Sequence, residues 1–165
     1  MPTNTAAGHQ QREELPLSKA AEYLLEECRM VLPGIQALFG FQLIAVFNQS
    51  FGEKLSPFEQ RLHLGAIALI VVAVAIIMTP AALHRASGPQ EVTATFVRIS
   101  TRLLVWSMLP LALGICTDFY LVGRIVLGSS LIIILAALLF SLFLLLWFVL
   151  PRVRALQTIV AGVDK

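Results

Sequence analysis

Ile125 to Pro151 reads IVLGSSLIIILAALLFSLFLLLWFVLP, 27 residues without one Asp, Glu, Lys or Arg. About 20 predominantly apolar residues in a helix cross about 30 Å of hydrocarbon, so this run is long enough to span a bilayer. In lipid only helices and closed barrels satisfy every backbone N–H and C=O. Leu131 to Phe140 lacks the two-residue alternation that a barrel strand requires. The segment is therefore predicted to be a membrane helix.

The same reading extends outward along the chain. Met30–Gly52 and Leu62–His84 are two further uncharged or nearly uncharged runs. Leu103–Thr117 is a shorter third, extendable to Gly123 if Asp118 sits at the interface. Four spans are predicted, at about residues 30–52, 62–84, 99–120 and 125–150, giving an all-α, polytopic four-helix bundle. Composition agrees. Of 165 residues, 58% are hydrophobic and 13% charged, and the mean hydropathy is +0.83. A soluble domain is about 45–50% apolar and about 25% charged. A single soluble globule is excluded, and so is a disordered regulator, which is poor in hydrophobic residues. A net charge of +2 with no clustered basic face gives no reason to expect nucleic acid as a partner.

Residues 1–16 are polar and read as a disordered tail with no signal peptide. Residues 17–154 form the membrane domain, and 155–165 a short tail. Ser18 is expected to cap an amphipathic lead-in, residues 17–29, in which Leu17, Ala21, Leu24, Leu25 and Cys28 recur at helical spacing. Gly52, Ser56 and Pro57 mark the first connection. Ser87-Gly88-Pro89 marks the second, with Pro89 in a first helical turn. Val92, Phe96, Ile99 and Leu103 share one face, so helix three is expected to begin before the membrane. Pro33-Gly34 and Pro110 are expected kink sites.

Lys and Arg placement sets the orientation. Arg12, Lys19, Arg29, Arg85, Arg98, Arg102, Arg152, Arg154 and Lys165 fall on one side, and Lys54, Arg61 and Arg124 on the other. Nine against three predicts both termini in the cytoplasm, with Trp147 anchoring the same interface. Cys28 and Cys116 then lie on opposite sides of the membrane and cannot pair.

Three groups of residues are candidate sites. Gly65, Ala68, Val72, Ala75, Thr79 and Ala82 form a stripe of small residues on span two, of the kind that lets helix backbones approach closely. It is read as a packing seam within the chain, with a homo-oligomer seam as the alternative. Gln36, Gln42 and Gln49 are candidate intramembrane polar residues. Gln42 and Gln49 share a face and Gln36 does not, which favours interhelical hydrogen bonding over a pore lining. Glu26, Glu27, Arg29, His84, Arg85, Arg98 and Arg102 form a charged cluster at the cytoplasmic boundary. It is read as positive-inside bias and snorkelling, with a gate, a proton site or an anionic-headgroup pocket as alternatives. Glu26 or Glu27 is expected to pair with Arg85 or Arg98.

No acid is expected in the middle of a span. His63 and His84 are about 31 Å apart along one helix and cannot share a metal or haem. No HExxH, GxSxG, P-loop or GxGxxG occurs. No cofactor, metal site or catalytic residue is expected.

Glu27-Cys28-Arg29-Met30-Val31-Leu32-Pro33-Gly34-Ile35-Gln36 and Leu38-Phe39-Gly40-Phe41 resemble the first-span signature of a bacterial membrane family, domain of unknown function 6328. Arg61, opening span two, and Pro80-Ala81-Ala82-Leu83-His84-Arg85, closing it, match its other hallmarks. The resemblance runs from about Glu26 to Leu150, and Cys28 stands where the family more often has an aliphatic residue. It implies a small multi-span inner-membrane protein and no particular activity.

The sequence alone thus favours a non-enzymatic structural or interaction protein of the inner membrane. Its expected partners are anionic lipid headgroups and a second copy or another membrane protein. A small channel or transporter using Gln42, Gln49, Thr79, Asp118 and the His84-Arg85 boundary is an alternative. A lipid- or quinone-binding subunit is another.

Overall fold

A computed structural model describes residues 16–86 and 93–153. The expectations for the two tails, for Arg154, for Ser87-Gly88-Pro89 and for Val92 lie outside the described residues. Within them the chain is helical, in the order α1 Leu17–Val46, α2 Gln49–Lys54, α3 Pro57–Ala86, α4 Ala94–Leu127 and α5 Leu131–Val153. The four long helices are long and apolar enough to cross a membrane. They alternate in direction. The α1–α3 and α4–α5 connections therefore share one end of the bundle, and the α3–α4 connection lies at the other.

Several boundaries differ from the sequence reading, each for a local reason. The lead-in and the first span are one continuous helix that begins at Leu17, with no side-chain cap from Ser18. The first span ends at Val46, not Gly52. Asn48 stops it by accepting a hydrogen bond from the Ser50 N–H at 3.0 Å and so starting α2. Gln49 therefore lies outside the first span, exposed on α2. α4 continues beyond Asp118 to Leu127, so Ile125–Leu127 belong to it and not to the last span. Gly128 ends it at φ 58°, a left-handed conformation that costs glycine nothing, and its N–H closes on the Arg124 carbonyl at 3.0 Å.

The start of α3 carries a capping box, Ser56-Pro57-Phe58-Glu59. The Glu59 carboxylate accepts from the Ser56 N–H at 2.8 Å and from the Ser56 hydroxyl at 2.7 Å. The Glu59 N–H returns to the Ser56 oxygen at 3.4 Å. Pro57 fills the first helical position, where a missing N–H costs nothing.

The bundle is built around the α3–α4 pair. Glu59, His63, Ala66, Ile70, Ala73, Ile77 and Pro80 form the buried face of α3, at alternating three- and four-residue steps. Opposite them α4 buries Ser100, Leu104, Ser107, Ala112, Gly114, Cys116 and Leu121. A side chain at Gly114 would put its Cβ 2.8 Å from Ile70 Cδ1 and 3.2 Å from the Ala66 carbonyl oxygen. Glycine is what allows the two backbones this close, as small residues do between membrane helices. Leu24, Cys28 and Ile35 bring α1 onto this core beside Ile70, Ile77 and Leu104. Ile132 fastens α5 by filling the space where a Gly123 side chain would stand.

The predicted stripe on α3 does not pack within the chain. Gly65, Ala68, Val72, Ala75 and Ala82 are exposed, and Thr79, half-buried, turns its hydroxyl onto its own helix at the Ala75 carbonyl, 2.9 Å away. The packed face is one residue out of phase, on Ala66, Ile70, Ala73 and Ile77. One residue is about 100° of helix rotation, so the predicted stripe looks outward.

Candidate functional site

At the end of the bundle holding the α1–α3 and α4–α5 connections, three helices converge on one polar cluster. Gln42 comes from the last turns of α1, His63 from the second turn of α3, and Asp118 from α4, nine residues before its end. Asp118 Oδ1 is 3.0 Å from His63 Nδ1, and the Gln42 side-chain amide donates to Asp118 Oδ2. His63 Nε2 is 3.0 Å from the backbone oxygen of Gln42.

These partners determine the proton inventory. A carbonyl oxygen only accepts, so Nε2 carries a hydrogen and donates it to Gln42. Nδ1 and Asp118 Oδ1 then face each other with one proton between them. The pair is either imidazolium and carboxylate or imidazole and carboxylic acid, and it is neutral overall in both forms. A deprotonated pair would set the Nδ1 lone pair against a carboxylate. Neutrality allows two ionisable groups to occupy a segment where a lone charge is costly.

One turn toward the end of the bundle, a second ion pair repeats the α3–α4 register. Arg124 Nε lies 2.8 Å from Glu59 Oε1, with the Glu59 side chain only 5% exposed and that of Arg124 54% exposed. Glu59 and His63 are four apart on one face of α3 and meet α4 residues of opposite character, in antiparallel order. Phe51 of α2 covers His63 edge-on, with ring centroids 5.2 Å apart.

A cleft of about 250 Å³ opens beside the cluster. Gln42, His63 and Asp118 line one wall, and Leu38, Phe41, Ala45, Phe51, Leu55, Leu121, Val122 and Ile125 supply an apolar remainder. Of the three polar side chains Asp118 is the most accessible, at 17% against 8% for His63. Gln42 Oε1 is buried against the cleft wall without a hydrogen-bond partner.

The other predicted residues lie elsewhere. Gln36 is exposed on α1 and faces Val71 and Val74 across a shallow groove, away from Gln42. Glu26, Glu27 and Arg29 are exposed on α1, off the buried face of Ala21, Leu24 and Cys28, and Arg85, Arg98 and Arg102 are also exposed. Glu26 and Glu27 therefore do not form the expected pair with Arg85 or Arg98. The ion pairs among the described residues are His63–Asp118 and Arg124–Glu59. His84 instead packs its ring against Phe96, centroids 5.8 Å apart. Asp118, expected near the far end of the third span, lies nine residues before the end of α4, where it meets α1 and α3.

The cluster is hidden in the sequence because His63 and Asp118 are 55 residues apart and each falls near the end of its own predicted span. Two signals were available. Ser56-Pro57-Phe58-Glu59 is a legible capping box, and Glu59 and His63 at i, i+4 share the α3 face that bears Ala66 and Ile70.

A family model described as "Family of unknown function (DUF6328)" matches residues 11–151. No curated protein and no solved structure matches the chain.

If the cluster is one coupled unit, His63→Phe and Asp118→Leu each lower unfolding stability in mixed micelles by about 1–3 kcal/mol. The double variant loses less than the sum by at least about 1 kcal/mol, because no buried charge is stranded. Denaturant titration of the four proteins measures this, and losses that simply add would contradict the coupling.

Proposed function

The chain belongs to the family of unknown function DUF6328, whose description names no activity, and from its site we propose a non-catalytic binding protein of a bacterial cytoplasmic membrane. The proposed ligand is a membrane-soluble amphiphile carrying a hydroxyl group, such as a quinol or a lipid alcohol. The observation that carries this reading is the open, largely apolar cleft whose one polar wall is the His63–Asp118–Gln42 cluster. Asp118 is the acceptor the cleft can reach, so it selects a hydrogen-bond donor, while Leu38, Phe41, Leu121 and Val122 suit a hydrocarbon tail.

Two features favour binding over chemistry or transport. Both ring nitrogens of His63 are engaged by the chain itself, which leaves neither free as a base or nucleophile. Beyond the cluster Leu24, Cys28, Ile35, Ile70, Ile77 and Leu104 pack together, and the buried hydroxyls there belong to isolated serines, Ser100 and Ser107, the latter turned onto its own helix at the Leu104 carbonyl, so the polar wall does not continue as a path. Native mass spectrometry of the protein with a short-chain quinol or a diacylglycerol tests the reading. Wild type retains one of them, and Ala45→Phe, which fills the cleft without touching the cluster, retains neither. Equal retention by the two proteins would remove the cleft from consideration.

The favoured topology places both termini and the α3–α4 connection in the cytoplasm, because nine of the twelve Lys and Arg fall on that side. In intact spheroplasts an impermeant maleimide should label a cysteine at Lys54 and not one at Arg85. The reverse pattern would invert the protein.

A second reading, a self-associating structural protein, is favoured by the outward direction of Gly65, Ala68, Val72 and Ala75 on α3. Small outward residues permit close approach of a second copy's helix. Ala68→Cys and Ala75→Cys should then cross-link into dimers in native membranes, whereas Leu138→Cys on α5 should not. Equal cross-linking at all three positions would indicate random collision.

A further inference from the structure

At the end of the bundle away from the cluster, α4 and α5 enclose a second groove of about 420 Å³. Arg102 and Trp106 line it from α4, one turn apart, and Trp147, Phe148 and Arg152 line it from α5. We propose that this groove is a binding site for the phosphate of an anionic phospholipid, gripped between Arg102 and Arg152, with Trp106 and Trp147 against the glycerol and upper acyl region.

Four observations carry the proposal. First, two guanidinium groups from different helices border one groove, and among the described residues no Asp or Glu lines it. The ion pairs among the described residues involve neither arginine. Two cations with no ion-pair partner among the described residues, set beside a bilayer, form a site for an anion, and the planar fork of arginine suits phosphate. Second, the described lining offers no carboxylate to hold the ammonium of a zwitterionic headgroup, so it discriminates by charge. Third, the protein has two tryptophans, Trp106 and Trp147, and both line this groove. Indole rings prefer the headgroup level, which puts the arginines at phosphate depth. Fourth, α5 loosens into a π-helical turn at Leu145–Val149, where the groove is formed. Such turns insert a residue and redirect side chains, and they recur at functional sites. Here the turn carries Trp147 and Phe148 into the groove, with Trp147 stacked on Phe143 at 4.6 Å between centroids. Arg152 reaches back to the Phe148 carbonyl at 3.4 Å, a long contact that an anion can replace.

The site is independent of the cleft at the opposite end, and its occupant is not the hydroxyl-bearing ligand proposed there. It also differs from general positive-inside bias, which predicts that any arginine on this side contributes equally.

Because both tryptophans line the groove, their fluorescence reports on it in the unmodified protein. In vesicles of phosphatidylcholine containing a minor fraction of phosphatidylglycerol, bromine is placed on the acyl chains of one lipid at a time. Quenching by brominated phosphatidylglycerol should exceed its mole fraction on the order of thirtyfold in relative affinity, because two arginines favour a headgroup whose phosphate charge is not cancelled by choline. Arg102→Gln/Arg152→Gln should bring that ratio close to one. Arg85→Gln, exposed outside the groove, should leave it unchanged. Inorganic phosphate at millimolar concentration should not reverse the quenching if the ligand is the lipid. Reversal by phosphate would assign the site to a free anion instead and overturn the lipid proposal. Quenching of wild type in proportion to mole fraction would overturn it as well, with no variant required. An equal loss of preference in Arg85→Gln would reduce the effect to net charge and do the same.

Discussion

Two ionisable side chains inside a membrane-spanning bundle must neutralise each other, and in this protein that constraint ties three helices together. His63 and Asp118 share one proton, Gln42 donates its amide to the free oxygen of Asp118, and its backbone takes the second hydrogen of His63. Because lipid supplies no substitute hydrogen bonds, each of these contacts specifies a position along its helix. Displacing α1, α3 or α4 by one residue would strand a buried polar group. The cluster therefore sets register, whereas the apolar core, which has no directional bonds, sets only proximity. The Glu59–Arg124 pair one turn away repeats the same register in the same antiparallel sense.

Close packing makes that chemistry possible. Gly114 lets α4 lie against Ala66 and Ile70, which brings Asp118, one turn further along α4, to His63. The short helix α2 then folds Phe51 and Leu55 over the cluster. What remains open is the cleft toward Phe41, Val122 and Ile125, whose apolar walls meet the one reachable carboxylate. The two ends of the bundle thereby differ in kind. One has an internally neutralised polar cluster under an apolar cleft, and the other has two arginines, without an ion-pair partner among the described residues, framed by tryptophans. A bilayer with different leaflets presents a corresponding asymmetry.

Much of the architecture was legible in particular runs. Ile125–Pro151 and Leu62–His84 are too long and too apolar for anything other than buried or spanning helices, and both lie mainly within single helices here. Boundaries were less legible where one polar residue decides them. Asn48 reads as a polar member of a span until its side chain is seen capping α2, and Gly128 reads as one more small residue until its positive φ ends α4. The stripe on α3 shows a limit of a different type. Two small-residue faces, Gly65–Ala68–Val72–Ala75 and Ala66–Ala73, are adjacent on the same helix. Periodicity finds both without saying which of them meets α4.

Hydropathy acts on each segment separately, so the sequence by itself determined the number of long helices, their apolar character and the poverty of charge between their ends. The tertiary structure decided which polar residues would meet. His63 and Asp118 are 55 residues apart, and Gln42 and Asp118 are 76 apart. Their encounter depends on helix rotation and axial offset, which close approach at Gly114 permits and the contacts of the cluster itself specify. Those quantities belong to pairs of helices and have no expression in the periodicity of any one of them. The same physics that made the spans plain, an apolar solvent indifferent to which apolar face it touches, left the site to be determined by packing.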